Sequence, residues 1–414
     1  MNGSPERDAL AAAGPRAVSS SRAARVLLES LRLDFDSEEV VRARAGAALA
    51  LGVGGFIVFG GRRDQVARLV EDLRVEADHP LWIASDLERG AGQQFAGLPT
   101  LPPPAGLAAH PAPEDAARLA GAITARSARA VGVDMVFAPV LDLDVMADNP
   151  IIGTRAFGSD PVTVARLGGA WIEGCQAEGV VACGKHFPGH GRTSTDSHAE
   201  IPVVGAARAE LEADLLPFRR VAPHVGAILT AHVAYPSLGA PLPATITPSL
   251  LTGLLREEMG FEGLIVTDAM NMSGFLDAEV ADEGDGADEG AVGNGAAGSA
   301  AARDPVVLAL TAGCDLLLYP ADLATAVASL ERAAETDPAV AARLAEALDR
   351  SVAVRARLVG KRGSATARGT AATPDEDARA AALLSMLSIA VRGERPDWLH
   401  RDRQVRVETV WDDR

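Results

Sequence analysis

The stretch Gly184-Lys185-His186-Phe187-Pro188-Gly189-His190-Gly191-Arg192-Thr193-Ser194-Thr195-Asp196-Ser197-His198 packs three histidines, a lysine, an arginine and an aspartate into fifteen residues of a chain with eight histidines in all. Imidazoles exchange protons near neutral pH. An acid two residues before a histidine on a loop can accept a hydrogen bond from one ring nitrogen. That pairing fixes the tautomer, steadies the charged ring and leaves the other nitrogen for proton transfer. His198 with Asp196 fits this role, although an isolated pair of this kind more often only orders its loop. Gly189 and Gly191 permit sharp backbone reversals there. His186, His190, Asp196 and His198 are metal-ligand types, but their spacing matches no familiar zinc pattern, and no metal is expected.

A second segment, Gly263-Leu264-Ile265-Val266-Thr267-Asp268-Ala269-Met270, is an apolar run ending in one carboxylate. Asp268 can be a helix cap or loop brace, or a nucleophile. Glycosyl transfer with retention needs a nucleophilic carboxylate and a separate proton donor on the leaving-group side, and Asp268 with His198 supplies both. Asp86 ends the run Leu81-Trp82-Ile83-Ala84-Ser85-Asp86 and could hold sugar hydroxyls; its alternative is another strand-end cap. Arg155, in the loop after Pro139-Val140-Leu141-Asp142, could donate to ligand oxygens or form a salt bridge with Asp142 or Asp160. Lys185 and His186 are expected to face ligand. His232 and Tyr235 follow another apolar run and receive no chemical step.

These residues need strands that end on one face. Eight short apolar segments recur: 31–35, 55–60, 81–86, 135–142, 180–186, 227–233, 264–270 and 314–320. Phe56-Ile57-Val58-Phe59 and Leu264-Ile265-Val266 lack alternation, as strands covered on both faces do. Helical stretches are predicted between them, over 38–51, 63–75, 113–131, 161–178, 208–222, 248–259, 304–312 and 321–334. Asp160 before Pro161 and Thr247 before Pro248 read as caps. This alternation predicts an α/β chain folded as a (β/α)8 TIM barrel, with a doubly wound open sheet as the competitor. Barrel enzymes place their chemistry at the C-terminal strand ends, where every residue named above falls.

Residues 1–20 read as a flexible leader and 21–358 as the catalytic barrel. Within it, 277–299 form an insertion with seven acidic residues and no basic one. It is expected to be mobile, and more simply an inert surface loop than a lid. Residues 359–414 read as linker, a helix over 374–391 and a charged tail with one short strand over 405–410. They form a short helical C-terminal extension and no complete second domain.

The 414 residues carry 39 basic and 56 acidic side chains, a formal charge of -17, and 48% hydrophobic residues. Such a surface repels phosphate backbones, so no nucleic-acid partner is expected. Cys175, Cys183 and Cys314 are too few for a disulfide scaffold and read as reduced thiols. No segment reaches the ~18 apolar residues of a membrane span, and no secretory signal is visible. The cytoplasm is the default expectation, with a periplasmic or secreted location still open.

Taken together, Lys185-His186-Phe187-Pro188-Gly189-His190-Gly191 with Asp196-Ser197-His198, and Thr267-Asp268-Ala269, resemble glycoside hydrolase family 3. They are most similar to its bacterial β-N-acetylhexosaminidase branch, the enzymes of peptidoglycan recycling. The resemblance runs from about residue 45 to 320. It implies that Asp268 forms a glycosyl-enzyme intermediate and that His198, oriented by Asp196, is the acid/base. Asp86, Arg155, Lys185 and His186 match positions that bind the non-reducing sugar. It implies no cofactor, and a carbohydrate substrate with a terminal β-linked amino sugar. A monomer is expected. After Asp86 the branch reads Gln-Glu-Gly-Gly-Arg-Val-Gln-Arg. This chain has Leu87-Glu88-Arg89-Gly90-Ala91-Gly92-Gln93-Gln94, so Ala91 and Gln94 replace two arginines. A β-glycoside phosphorylase or β-glucosidase on the same site stays open, as does a non-catalytic carbohydrate-binding protein.

Overall fold

In the computed structural model, which describes residues 21–194, 201–272, 304–360 and 372–387, eight apolar segments pair in parallel and close on themselves. The barrel strands are β1 (Leu27–Arg32), β2 (Gly55–Phe59), β3 (Trp82–Ser85), β4 (Met135–Val136), β5 (Val181–Phe187), β6 (Ala227–Thr230), β7 (Leu264–Ala269) and β8 (Leu316–Leu318). Closure is made by Leu27 opposite Leu317 and Leu28 opposite Leu318. The expected TIM barrel is therefore the observed fold, and the open sheet is excluded.

The missing alternation in β2 has a direct cause. Ile57 points into the barrel with Leu28, Trp82, Met135, Val181 and Leu264, while Phe56 and Val58 face the helical layer. Each fully buried side chain of this kind contributes roughly 1.5–3 kcal/mol, so both faces of the strand hold it in place. The helices are α1 (Glu38–Leu51), α2 (Arg63–Glu76), α3 (Pro113–Arg129), α4 (Pro161–Ala177), α5 (Arg208–Val221), α6 (Ser249–Glu258), α7 (Pro305–Ala312) and α8 (Leu323–Thr336). Asp160 caps α4 by accepting from Thr163 N at 2.9 Å. The Thr247 hydroxyl instead donates to Leu242 O and Pro243 O, and α6 winds as a π-helix.

Three expectations need correction. The first strand is Leu27–Arg32, four residues upstream of the predicted 31–35, and a 3-10 turn over Ala23–Val26 precedes it. Glu29 disguises it: this acid is buried in the strand and bonds Ser30 N at 2.8 Å, while Phe35 lies outside at 78% exposure. The fourth strand stops at Val136 instead of reaching Asp142, because Pro139 has no N–H for the ladder; pairing resumes only at the Val140–Lys185 bridge. Third, no helix is predicted between 334 and the linker that starts at 359, yet α9 (Pro338–Leu358) is there. It closes the N-terminal end of the barrel. Trp82 Nε1 donates to Ser351 Oγ at 2.7 Å, and the Arg355 guanidinium stacks 4.0 Å from the Trp82 ring. Asp315, fully buried, receives Arg256, Arg343 and Arg350 at 2.5, 2.6 and 2.8 Å.

The last helix, α10 (Pro374–Leu387), is tied to α3 by a bidentate Arg126–Asp377 pair. Residues 1–20, the insertion 277–299, the end of the predicted helix after 387 and the predicted strand 405–410 lie outside the described residues. The three cysteines are buried free thiols.

Candidate active site

Parallel closure brings all eight C-terminal strand ends to one face. There a cavity of about 400 Å³ is lined by Arg32, Asp86, Lys185, Asp268, Asn271 and Tyr319, over a floor that includes Phe59, Phe137, Leu229 and Leu318. Larger hollows of about 550 and 600 Å³ lie between α3 and α10 and between α4 and α5. They sit on the outside of the barrel, away from the strand ends.

Lys185, on β5, is buried and bonds Asp86 Oδ1 at 2.6 Å and Glu88 Oε1 at 2.7 Å. Glu88 also takes Arg155 in a two-toothed grip, Nε at 2.9 Å and Nη2 at 2.8 Å. Planar guanidinium on carboxylate is the geometry that makes such pairs strong. Burial works against the Glu88 charge, but Arg155 and Lys185 outweigh it and hold the carboxyl well below its ordinary range. Burial likewise opposes the charges of Lys185 and Arg155, and their acidic neighbours keep both firmly protonated. Arg155 therefore meets neither of the partners weighed from sequence. Glu88 was overlooked as the hub, although a second acid two residues beyond Asp86 was its signal.

His186 is oriented from behind. Its Nδ1 lies 2.6 Å from Asp142 Oδ2, so Nδ1 carries its hydrogen, and Nε2 faces Arg155 Nη2 at 3.5 Å. Asp142, 1% exposed, also accepts from the backbone N–H groups of His186 and His190. Of the sequence-selected sugar-binding residues, Asp86 and Lys185 thus line the cavity. Arg155 and His186 join it through Glu88 and through each other.

The start of the histidine loop is clamped. Asn149 Nδ2 donates to His190 O and Thr193 O, both at 3.0 Å. Tyr235 Oη donates to Gly189 O at 2.8 Å, and Arg192 pairs with Asp214 at 2.5 Å. Gly191 has no room for a side chain, since a Cβ would fall 1.8 Å from Leu143 O. Burial, with His186 beside it, pushes His190 down to about 4. The return limb is held too: Ala234 N donates to Pro202 O, and Val204 N to Ala234 O. Asp196 and His198 lie between these two anchors, at 195–200, outside the described residues.

Asp268 stands at the tip of β7, half-buried on the cavity wall. Its one hydrogen bond among the described residues comes from Ala269 N at 2.8 Å. Burial tends to raise its pKa, but the fields of His232, His186 and Lys185 and the Ala269 N–H outweigh it and hold the carboxyl below its ordinary range. His232 Nε2 lies 3.2 Å from Ala269 O and its Nδ1 2.7 Å from Thr245 Oγ1, which gives this residue, unassigned from sequence, a place in steadying the turn that carries Asp268. Among the described residues no group of three or more metal-ligating side chains converges, and no helix is long and apolar enough to cross a membrane.

Relatives share this architecture. The model of the glycosyl hydrolase family 3 N terminal domain matches residues 42–354. A beta-hexosaminidase of Pseudomonas aeruginosa is 38% identical over 293 residues, 69% of this chain and 81% of that protein. A solved family 3 beta-N-acetylglucosaminidase from Paenibacillus sp. str. FPU-7 superposes with a TM-score of 0.72 at 30% identity, covering 89% of this chain and 68% of that one. Beta-N-acetylhexosaminidase from Beutenbergia cavernae gives a TM-score of 0.69 at 25% identity, with 81% and 98% covered. The chain belongs to glycosyl hydrolase family 3 and is a glycoside hydrolase.

Proposed function

We propose that this enzyme is a retaining exo-β-N-acetylhexosaminidase that releases terminal β-linked N-acetylglucosamine, with peptidoglycan fragments as its natural substrate class. The observation that carries this is the state of Asp268: an ionised carboxylate, open to the cavity, with no cation bonded to it among the described residues. It is free to attack an anomeric carbon, whereas Glu88 and Asp142 are consumed by their partners. Asp86 and Lys185, with Arg155 and His186 behind them, hold the hydroxyls of the non-reducing sugar. The amino-sugar assignment is supported by the names of the relatives above.

The reaction runs in two steps. Asp268 attacks C1 as the C1–O bond to the aglycone breaks, and His198, steadied by Asp196, gives its proton to the departing oxygen. Water then attacks C1 of the glycosyl-enzyme, His198 takes the water's proton, and the Asp268–C1 bond breaks. The clamped stems on both sides of 195–200 support this placement of His198.

The test is release of nitrophenol from the β-N-acetylglucosaminide against the β-glucoside, with and without phosphate. A clear preference for the first, unaffected by phosphate, is expected. Equal or reversed rates would defeat the sugar assignment, and a sugar-1-phosphate product would make the enzyme a phosphorylase. A fluorosugar should be found attached to Asp268 by peptide mapping; label on another residue, or none despite inactivation, refutes the mechanism.

A further inference from the structure

Arg32 ends β1, and in a closed eight-strand barrel β1 lies across the mouth from β5, which carries Lys185. It lines the same cavity as Asp86 and Asp268, and none of the steps above uses it. Its side chain is fixed on three sides. Nε and Nη2 donate to the two oxygens of Asp34 at 3.1 and 3.0 Å, and the guanidinium lies 4.6 Å from the ring centres of both Phe35 and Phe59. Nη1 has no hydrogen-bond partner among the described residues, and the side chain is 30% exposed. A guanidinium held by a carboxylate and two rings has lost its conformational freedom in advance, so a bond from Nη1 to a ligand carries little further entropic cost.

We propose that Arg32 determines the sugar specificity of this site by donating through Nη1 to the carbonyl oxygen of the 2-acetamido group. This rests on the reading of the enzyme as an N-acetylhexosaminidase. The chemistry of the two sides of the cavity divides the sugar. Asp86 offers carboxylate oxygens beside the Lys185 ammonium, an acceptor paired with a donor, which suits hydroxyls that both donate and accept. The Arg32 side offers a group that only donates, beside the apolar surfaces of Ile57, Phe59 and Leu318. An acetamido group matches that side: its carbonyl accepts, and its methyl belongs on apolar surface.

The neighbouring loop reinforces the point. Gln94, one of the two positions where this chain departs from its branch, gives its side-chain oxygen to Gly60 N at 3.2 Å. Gly60 itself packs against Asp34, since a Cβ there would fall 2.6 Å from the Asp34 Cβ. This side of the mouth thus draws its guanidinium from β1, with Gln94 committed to the backbone beside it.

The experiment compares kcat/KM for nitrophenyl β-N-acetylglucosaminide and β-glucoside in the wild type, Arg32→Ala, Arg32→Lys and Asp34→Asn. Inhibition by free N-acetylglucosamine and by free glucose is measured alongside. The ratio of the two kcat/KM values should fall roughly ten- to a hundredfold in Arg32→Ala, the range of a hydrogen bond to a charged donor. It should recover in part in Arg32→Lys and fall less in Asp34→Asn, which loosens the side chain without removing it. N-acetylglucosamine, and not glucose, should lose inhibitory strength. A wild type without preference for the amino sugar defeats the underlying reading. A wild type with that preference, whose ratio is unchanged in folded Arg32→Ala, defeats this inference alone. Because Arg32→Ala could also fail to fold, the Asp34→Asn variant and the inhibition constants provide an independent answer: an unchanged ratio in folded Asp34→Asn, with unchanged inhibition, overturns the proposal as well.

Discussion

Glu88→Gln tests the charge hub most directly. In the native site Glu88 is buried and bonded to Lys185 at 2.7 Å and to Arg155 at 2.8 and 2.9 Å. Two opposite charges at such range interact by about 4 kcal/mol each at the effective dielectric of a protein, against a desolvation penalty of several kcal/mol for the buried carboxylate. Removing one partner of a buried network usually costs about 3–5 kcal/mol. Glutamine keeps one acceptor but turns an NH2 toward a cation, so the lower end applies: about 3 kcal/mol, and for a chain of this length a fall in Tm of about 3–4 °C. Arg155 loses its two-toothed seat and Lys185 shifts its weight to Asp86. KM should rise and kcat/KM fall about ten- to a hundredfold. The pH dependence supplies a sign. The Glu88 carboxyl is held below its ordinary value of 4.5, so its stabilisation is complete above about that pH and is lost as pH falls further. Melting curves of wild type and variant should therefore be well separated at pH 7 and converge in acid. Equal Tm at pH 7, or a separation that grows in acid, refutes the hub.

Three further outcomes follow from the geometry. Asp268→Asn should lose turnover by at least about a thousandfold while Tm moves little, because the side chain's only bond among the described residues comes from the adjacent Ala269 N; a large drop in Tm would make Asp268 structural. Asn149→Ala removes the amide that spans His190 O and Thr193 O, and kcat should fall about tenfold with KM nearly unchanged, checked by steady-state kinetics; a pure KM effect would place Asn149 in sugar binding instead. Burial, only partly offset by Arg192, raises the Asp214 carboxyl from 3.8 to about 6. Stability linked to its protonated form is full below about 3.8 and lost as pH rises through about 6, so denaturant melts from pH 4 to 7 should slope downward in wild type relative to Asp214→Asn; parallel curves would refute it.

The barrel was legible in the sequence because its strands are apolar on both faces and its helices begin at Pro and Asp signals, as at Asp160-Pro161. The misreadings have two causes: Glu29 and Pro139 act locally within their strands, whereas α9 and Glu88 depend on partners distant in sequence. Glu29 is an acid that a strand tolerates only because its carboxyl finds Ser30 N in a buried setting. The helix α9 has a surface-like pattern, with Arg343, Arg350 and Arg355, and its cations are explained only by Asp315 and Trp82 at the foot of the barrel. In the site, Asp86, Lys185 and Asp268 could be chosen because each ends or lies in an apolar run. Glu88 could not be ranked above its neighbours, because its importance lies in two cations, 67 residues away at Arg155 and 97 away at Lys185 in sequence number.

On the proposed mechanism, the division of labour among the carboxylates explains how a cavity with several acids presents one nucleophile. A carboxylate gripped by a guanidinium or an ammonium has its lone pairs engaged and its charge neutralised, which makes it a poor attacker. Glu88 is gripped by Arg155 and Lys185, and Asp142 by His186 and two backbone N–H groups. Asp86 shares Lys185. Asp268 alone of these four is kept ionised chiefly by charges that do not bond to it, His232, His186 and Lys185, at the tip of a strand whose next residue is fixed to His232. Lys185 thus acts twice, by contact on Asp86 and Glu88 and through space on Asp268. On the proposed mechanism, a variant that moved Lys185 off Asp86 and Glu88 would disturb sugar binding and the ionisation of Asp268 together, so binding and chemistry could not be tuned independently through that lysine.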